Sequence, residues 1–329
     1  MKKIIALFLF FGFLCFEAAA YPATPVPSAR KMQPAKKTVP AKKVAVKKKA
    51  LAKSKPSAKA VNPKAELKKL LISKLSRSFS KKNVEEIFSD KRIFLDRSIF
   101  TTIDPMCELP DGTKRKYQGY FDPECGTFTR KSLDRGRSFL KNYAADFDAV
   151  ENKYGVDREI IAAVLRVETN FGAYLGSRSA FNTLYTLYAL PPVPSWRDLA
   201  LEHLEYLLRL KDSNQWADIL EVKGSSRGAI GMPQFMPFSY WHYAVDGDGD
   251  GKRDLFVPVD SIHSVGNYLL EHSWSDDSAD RKKALLSYNF DCMYVQAIML
   301  YAREIKNSPE TVSNYDVLKQ EAVKNCSKR

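Results

Sequence analysis

The strongest recurring pattern along the chain is a helical one. Apolar residues return at three- and four-residue spacing over Leu133–Tyr154, Asp157–Phe171, Arg197–Lys211, Val259–His272 and Cys292–Ile305, and a helical signal also starts near Ala65. Between them, residues 89–130 mix short β-like runs with turn pairs such as Pro110-Asp111-Gly112. The pattern predicts a mainly α fold with a small irregular or β part. No repeat of solenoid length is visible.

The run after Tyr154 carries the first candidate chemistry. Gly155 breaks the preceding helix, Asp157 is an N-cap candidate and Glu159 places an acid in the first turn. Ile160, Ile161, Val164 and Leu165 mark one buried stripe, and the next position on it is Glu168. Glu159 and Arg166 fall off the stripe and are expected in solvent. A carboxyl on an apolar face loses hydration, which raises its pKa toward values useful to a general acid. The same periodicity allows a structural role, in which Glu168 pairs with a buried arginine or caps a neighbouring helix.

A second cluster is acidic and glycine-rich. Asp246-Gly247-Asp248-Gly249-Asp250-Gly251-Lys252 has the alternating oxygen ligands and sixth-position glycine of an EF-hand loop. Val257 stands where the closing glutamate belongs, and Asp260, three residues on, is the carboxylate that closes a lengthened loop. Lys252 would contribute only its carbonyl. An all-oxygen, flexible ligand set favours calcium over magnesium, in a structural role. The alternative is an Asp-Gly turn without an ion.

Charge changes the picture at the N-terminal end. The chain has 329 residues and a formal net charge of +14, which invites a nucleic-acid reading. Residues 21–65, however, hold thirteen Lys/Arg, seven prolines and no acid, and with Lys2, Lys3 and Glu17 set aside, residues 66–329 carry 37 charges of each sign. The folding part is formally neutral, and no aromatic residues interleave with the lysines, so a nucleic-acid partner is not expected. Residues 21–65 are expected to form a disordered basic arm, a spacer and tether to anionic envelope polymers or a lipid surface. Lys2-Lys3, the apolar run Ile4–Phe16 and Ala18-Ala19-Ala20 predict an export signal over residues 1–20. The run is short for a membrane span, and Phe13-Leu14 before Cys15 lacks the small residues of a lipoprotein site. The expected location is the periplasm or cell envelope, with residues 66–329 as the folded domain.

Without the signal, four cysteines remain: Cys107, Cys125, Cys292 and Cys326. Three pairings are open, of which local closure favours Cys107–Cys125 and Cys292–Cys326, structural bonds in an oxidising compartment. Two other signals point away from chemistry. Gly224-Ser225-Ser226-Arg227-Gly228 fits a nucleophile elbow but lacks the strand before it and helix after it. His203, His242, His263 and His272 show no zinc-ligand spacing.

Three blocks together resemble the membrane-bound lytic murein transglycosylase B family, peptidoglycan-cleaving enzymes with a lysozyme-like core. They are Tyr154–Val156 through Glu168-Thr169-Asn170-Phe171-Gly172; Gly224–Tyr240, which contains Gly231-Met232-Pro233-Gln234-Phe235; and Ala244–Asp260, followed by Tyr288-Asn289. The resemblance covers about residues 129–305. It implies Glu168 as the sole acid/base, with Ser225, Gln234, Tyr268, Tyr288, Asn289 and Tyr294 lining the sugar cleft. It further implies calcium held by Asp246, Asp248, Asp250, the Lys252 carbonyl and Asp260, and no organic cofactor. Glycan strands of peptidoglycan would be the substrate, cut between MurNAc and GlcNAc with formation of 1,6-anhydroMurNAc. A lysozyme-type muramidase and a non-catalytic wall-binding protein are the alternatives. Met232-Pro233 departs from the aromatic-glycine pair of the family, and Leu190–Pro194 is richer in proline; both bear on subsite contacts.

Overall fold

The computed structural model describes residues 63–101, 106–307 and 314–327. The expected export signal and nearly all of the expected arm lie outside the described residues. The chain starts with α1 (Pro63–Leu75) and α2 (Lys81–Ser89), followed by a hairpin of β1 (Met106–Glu108) and β2 (Lys114–Lys116). Next come α3 (Arg130–Asn142), α4 (Ala144–Tyr154) and α5 (Arg158–Thr169). Beyond them, β3 (Arg178–Ser179) leads into α6 (Ala180–Ala189) and α7 (Ser195–Asp212), and β4 (Lys223–Gly224) pairs antiparallel with β3. The chain then runs through α8 (Pro237–Tyr243), α9 (Pro258–Glu271), α10 (Ser278–Tyr288), α11 (Cys292–Lys306) and α12 (Tyr315–Cys326). The mainly helical expectation holds, and the strands are short.

Local sequence explains most boundaries. Thr129 caps α3 by accepting from the Ser132 N–H, and Gly155, at φ 64°, ends α4 in the left-handed region. The single helix expected over Leu133–Tyr154 is two, broken at Tyr143 (φ −117°, ψ 33°), whose carbonyl nevertheless accepts from Phe147 to start α4. Asp157 sits at the N-cap of α5 without a capping bond; its carboxylate instead pairs with Arg281 at 2.9 Å. α6 shows no clear stripe in the sequence because almost every residue of Ala180–Ala189 is buried, leaving no polar face to mark a period.

α5 is the centre of the fold. α3, α4, α9 and α11 all pack against it, and every residue from Ile160 to Thr169 except Arg166 is buried. The expectation that Glu159 and Arg166 face solvent is therefore corrected. The Glu159 side chain is only 14% exposed, 3.9 Å from the Lys306 ammonium. Arg166 donates to Ser132 Oγ at 2.6 Å and to the Gly126 carbonyl at 3.1 Å. With helices around it, α5 is buried over most of its circumference.

Both disulfides pair as local closure favours, Cys107 with Cys125 and Cys292 with Cys326. The second ties the start of α11 to the end of α12. No helix among the described residues is long and apolar enough to cross a membrane.

Candidate active site

Glu168 lies in the last turn of α5, with 5% of its surface exposed. Burial pushes its pKa up to about 8, and a hydrogen bond from Tyr294 works in the opposite sense. That bond runs from the Tyr294 hydroxyl to Glu168 Oε1 at 2.7 Å. Tyr294 sits on α11, which packs along α5, so two long apolar faces bring the acid and its donor together. No carboxylate among the described residues hydrogen-bonds Glu168 or contributes to its raised pKa. Glu168 is therefore held protonated at neutral pH, with a tyrosine and not a second carboxylate as its hydrogen-bond partner.

Behind it stands an aromatic array. The Tyr294 ring lies 6.3 Å from that of Tyr288, which lies 4.7 Å from Tyr268. Phe235 touches both Tyr268 and Tyr288, at 5.4 and 5.9 Å. Each tyrosine is at most 3% exposed. Their hydroxyls are used internally as well: Tyr268 donates to the Ser287 carbonyl at 2.8 Å and Tyr288 to the Pro233 carbonyl at 2.6 Å. Tyr294 joins this array of rings to the buried Glu168.

The turn from Gly231 to Phe235 closes the other side. Gly231 has φ +76°, and a Cβ there would fall 2.4 Å from that of Leu255, so only glycine fits. Gln234 also adopts a left-handed φ of 51°, and its amide nitrogen donates to the Gly231 carbonyl at 2.8 Å. Thr169, next to Glu168, donates through Oγ1 to the Met232 carbonyl at 2.9 Å, and the same oxygen accepts from the Gly172 N–H at 3.0 Å. One hydroxyl thus joins the end of α5 to this turn.

Of the residues expected in a cleft, Tyr268, Tyr288 and Tyr294 form one connected group with Glu168, and Gln234 follows Pro233, whose carbonyl accepts from Tyr288. Asn289 is buried directly after α10. Ser225 lies farther along the same segment as Gln234, its Oγ accepting from Arg227 and Ala229 at 3.2 and 3.1 Å. Two members were not expected. Thr169 gave no periodic signal of its own. Tyr120, whose ring meets Tyr294 edge-on at 6.3 Å, comes from the irregular segment where no motif directs attention.

The acidic loop is a separate centre. Carboxylate oxygens of Asp246, Asp248 and Asp260 lie within 4.8 Å of one another. Asp250 does not join them; it is exposed, with Oδ1 accepting from the Lys252 N–H at 2.8 Å. Asp260 is 1% exposed and reaches back from α9 to accept from the Gly247 N–H at 2.8 Å and from the Asp254 N–H. Three converging carboxylates repel one another unless a cation lies between them, and their oxygens suit a hard divalent ion. The residues present fit calcium.

Removing the Tyr294 hydroxyl tests the coupling at the acid. With Tyr294→Phe, burial acts unopposed and Glu168 titrates above about 8, higher by about one pH unit if a bond to a carboxylate is worth a little over 1 kcal/mol. The alkaline limb of the kcat/KM profile is expected to move upward, while activity falls about tenfold. An unmoved limb would show that Tyr294 does not set the titration of the acid.

A mainly helical core with a buried glutamate at the end of its central helix matches the fold of lysozyme-like lytic transglycosylases. The chain belongs to the Transglycosylase SLT domain family, whose profile matches residues 43–317. It is 34% identical over 203 residues to membrane-bound lytic murein transglycosylase B of Escherichia coli (strain K12), covering 60% of this chain and 54% of that protein. The chain thus spans about half the length of this curated relative. The crystal structure of the soluble lytic transglycosylase SltB1 from Pseudomonas aeruginosa superposes with a TM-score of 0.59 at 26% identity, over 73% of this chain and 98% of that one. An Escherichia coli lytic transglycosylase solved in complex with calcium gives a TM-score of 0.59 at 22% identity, over 73% and 92% of the two chains. The resemblance carried by the three sequence blocks is borne out.

Proposed function

We propose that this chain is a peptidoglycan lytic transglycosylase, with residues 66–329 as its catalytic domain and Glu168 as its only acid/base. The observation that carries the reading is a glutamate buried in the last turn of α5, held protonated to about pH 8 and hydrogen-bonded to a tyrosine. Most glycosidases that use water employ a second carboxylate as base or nucleophile. A transglycosylase does not, because the substrate supplies the other groups.

In the mechanism, Glu168 gives its proton to the glycosidic oxygen joining MurNAc to GlcNAc. The N-acetyl group of MurNAc supports the positive charge that develops at C1 as the bond breaks. Glu168, now a carboxylate, takes the proton of the MurNAc C6 hydroxyl, whose oxygen bonds to C1 and closes the 1,6-anhydro ring. The acid is restored and no water is consumed. Tyr294 holds the carboxyl in place through both steps, and Gln234, Ser225, Asn289, Tyr268 and Tyr288 shape and line the sugar cleft. Asp246, Asp248 and Asp260, with Asp250 and the Lys252 carbonyl, would hold a structural calcium away from the chemistry. The export signal and basic arm complete the reading with a periplasmic or envelope location and an anionic tether; both lie outside the described residues.

Mass analysis of a peptidoglycan digest tests the reaction. Anhydro ends, lighter by one water than the products of hydrolysis, are the expected result. Reducing ends would make the enzyme a muramidase, and an unchanged sacculus would leave a wall-binding protein.

A further inference from the structure

Arg227 lies in the turn after β4, where its backbone N–H donates to Ser225 Oγ at 3.2 Å. Its side chain is half-buried, and its guanidinium lies over the Trp196 ring, 4.3 Å from the centroid. Among the described residues this stack is the guanidinium's whole set of partners: no carboxylate or carbonyl accepts from it. Other half-buried arginines are engaged. Arg115 donates to Asp122 and Arg178 to Asp96, both at 2.6 Å, while Arg281 pairs with Asp157 at 2.9 Å. Burial holds the Arg227 pKa below the ordinary arginine value, and no acidic neighbour offsets it.

A guanidinium carries five N–H donors in a planar fork. Held over an indole ring, it keeps donors available to a planar anion bearing two oxygens. Its place in the fold says which anion. The Ser225–Ala229 turn runs directly into the Gly231–Phe235 turn, whose Met232 carbonyl accepts from Thr169 beside Glu168. Four residues separate Arg227 from Met232, at most about 18 Å of chain. Arg227 also donates through its backbone N–H to Ser225 Oγ, so a glycan in the cleft that Ser225 lines under the proposed function passes the turn carrying Arg227, and the peptide stems of peptidoglycan end in carboxylates.

Resting on the function proposed above, we propose that Arg227, backed by Trp196, is a carboxylate-binding subsite that holds a peptide stem beside the cleft and makes strands with free stem carboxylates the preferred substrate. The pair acts on binding and takes no part in bond cleavage.

The test compares peptide-bearing strands with the same strands after their carboxyl groups have been capped as methylamides. Wild-type protein is expected to favour the free acid about tenfold in kcat/KM, mainly through KM, as suits one bidentate charged contact. Arg227→Gln is expected to abolish the preference. Arg227→Lys should keep part of it, since lysine retains the charge but loses the fork. A second readout needs no turnover: calorimetry on Glu168→Gln protein with a soluble disaccharide-peptide, free or capped, should show the same discrimination, lost when Arg227→Gln is added. Equal affinity of that protein for both forms, or discrimination that survives Arg227→Gln, would overturn the subsite while leaving the proposed reaction intact. Wild-type protein that neither cleaves nor binds either form would overturn the function itself, and the subsite with it.

Discussion

Glu168→Gln is expected to reduce strand cleavage by at least about 10⁴-fold, the upper end of what one positioned acid/base supplies, because the same group serves both proton transfers. The amide fills the same space, so the fold should remain. Stability then gives an independent check with a defined sign. The folded-state pKa of Glu168 is raised from an ordinary value of 4.5 to about 8. Between those values the folded protein holds a proton that the unfolded chain has released, so wild-type stability falls as pH rises through this window. The loss is complete above about pH 8 and amounts to a few kcal/mol, since each pH unit between the folded and unfolded values is worth about 1.4 kcal/mol. Glutamine has no proton to lose. The melting temperature of Glu168→Gln relative to wild type should therefore rise steadily from pH 4.5 to about pH 8 and level off above it. Wild-type turnover should fall over the alkaline part of the same range, as the donor form is depleted. Retained activity in the variant, or a melting difference independent of pH, would remove Glu168 from the centre of the mechanism.

The position of that acid was legible because helix periodicity is local: four apolar residues and a fixed pitch place Glu168 on the buried stripe. The acidic loop and both disulfides were legible for a similar reason, since each depends on short spacing. Contacts between distant segments were not. Tyr294 donates to Glu168 across 126 positions, and Tyr120 meets Tyr294 from a segment without periodic pattern. The error over Glu159 and Arg166 has a readable cause. One stripe implies one buried face, but Ala162, Ala163 and Val167 make α5 apolar around most of its circumference, the signature of a helix enclosed on all sides. The small alanines let neighbouring helices approach, and a polar residue on such a helix must find a partner, as Arg166 does in Ser132 and Gly126. Asp250, proposed above as a further ligand, stands apart from the other three carboxylates. Alternation along the sequence predicts four converging carboxylates, but Asp250 Oδ1 instead caps a backbone turn, leaving Asp260 from the next helix as the third member.

Asp260 is the residue through which the acidic loop reaches the active site, and its replacement should have the largest effect on stability. Its buried carboxylate accepts from the N–H groups of Gly247, Asp248 and Asp254, tying both ends of the loop to α9. Leu255, next to Asp254, accepts through its carbonyl from the Met232 N–H at 2.7 Å and from Ser261 Oγ at 2.9 Å. Met232 in turn holds Thr169, so the loop and the catalytic turn of α5 share one chain of hydrogen bonds. Asp260→Ala strands several donors in a buried setting and is expected to cost about 3–5 kcal/mol. In wild-type protein, calcium at about a hundred times its dissociation constant should add about 2.7 kcal/mol, and a chelator should remove that increment. Magnesium should do less, because it demands a stricter octahedral shell and gives up water reluctantly. Asp260→Asn separates the two contributions: it keeps an acceptor for the backbone, so it should cost less than alanine, yet it should lose the response to calcium. Melting curves of the three proteins in calcium, magnesium and chelator decide the matter. If wild-type protein melts at one temperature in all three, the loop holds no ion. If Asp260→Ala melts with wild type, the hydrogen-bond chain does not support the site.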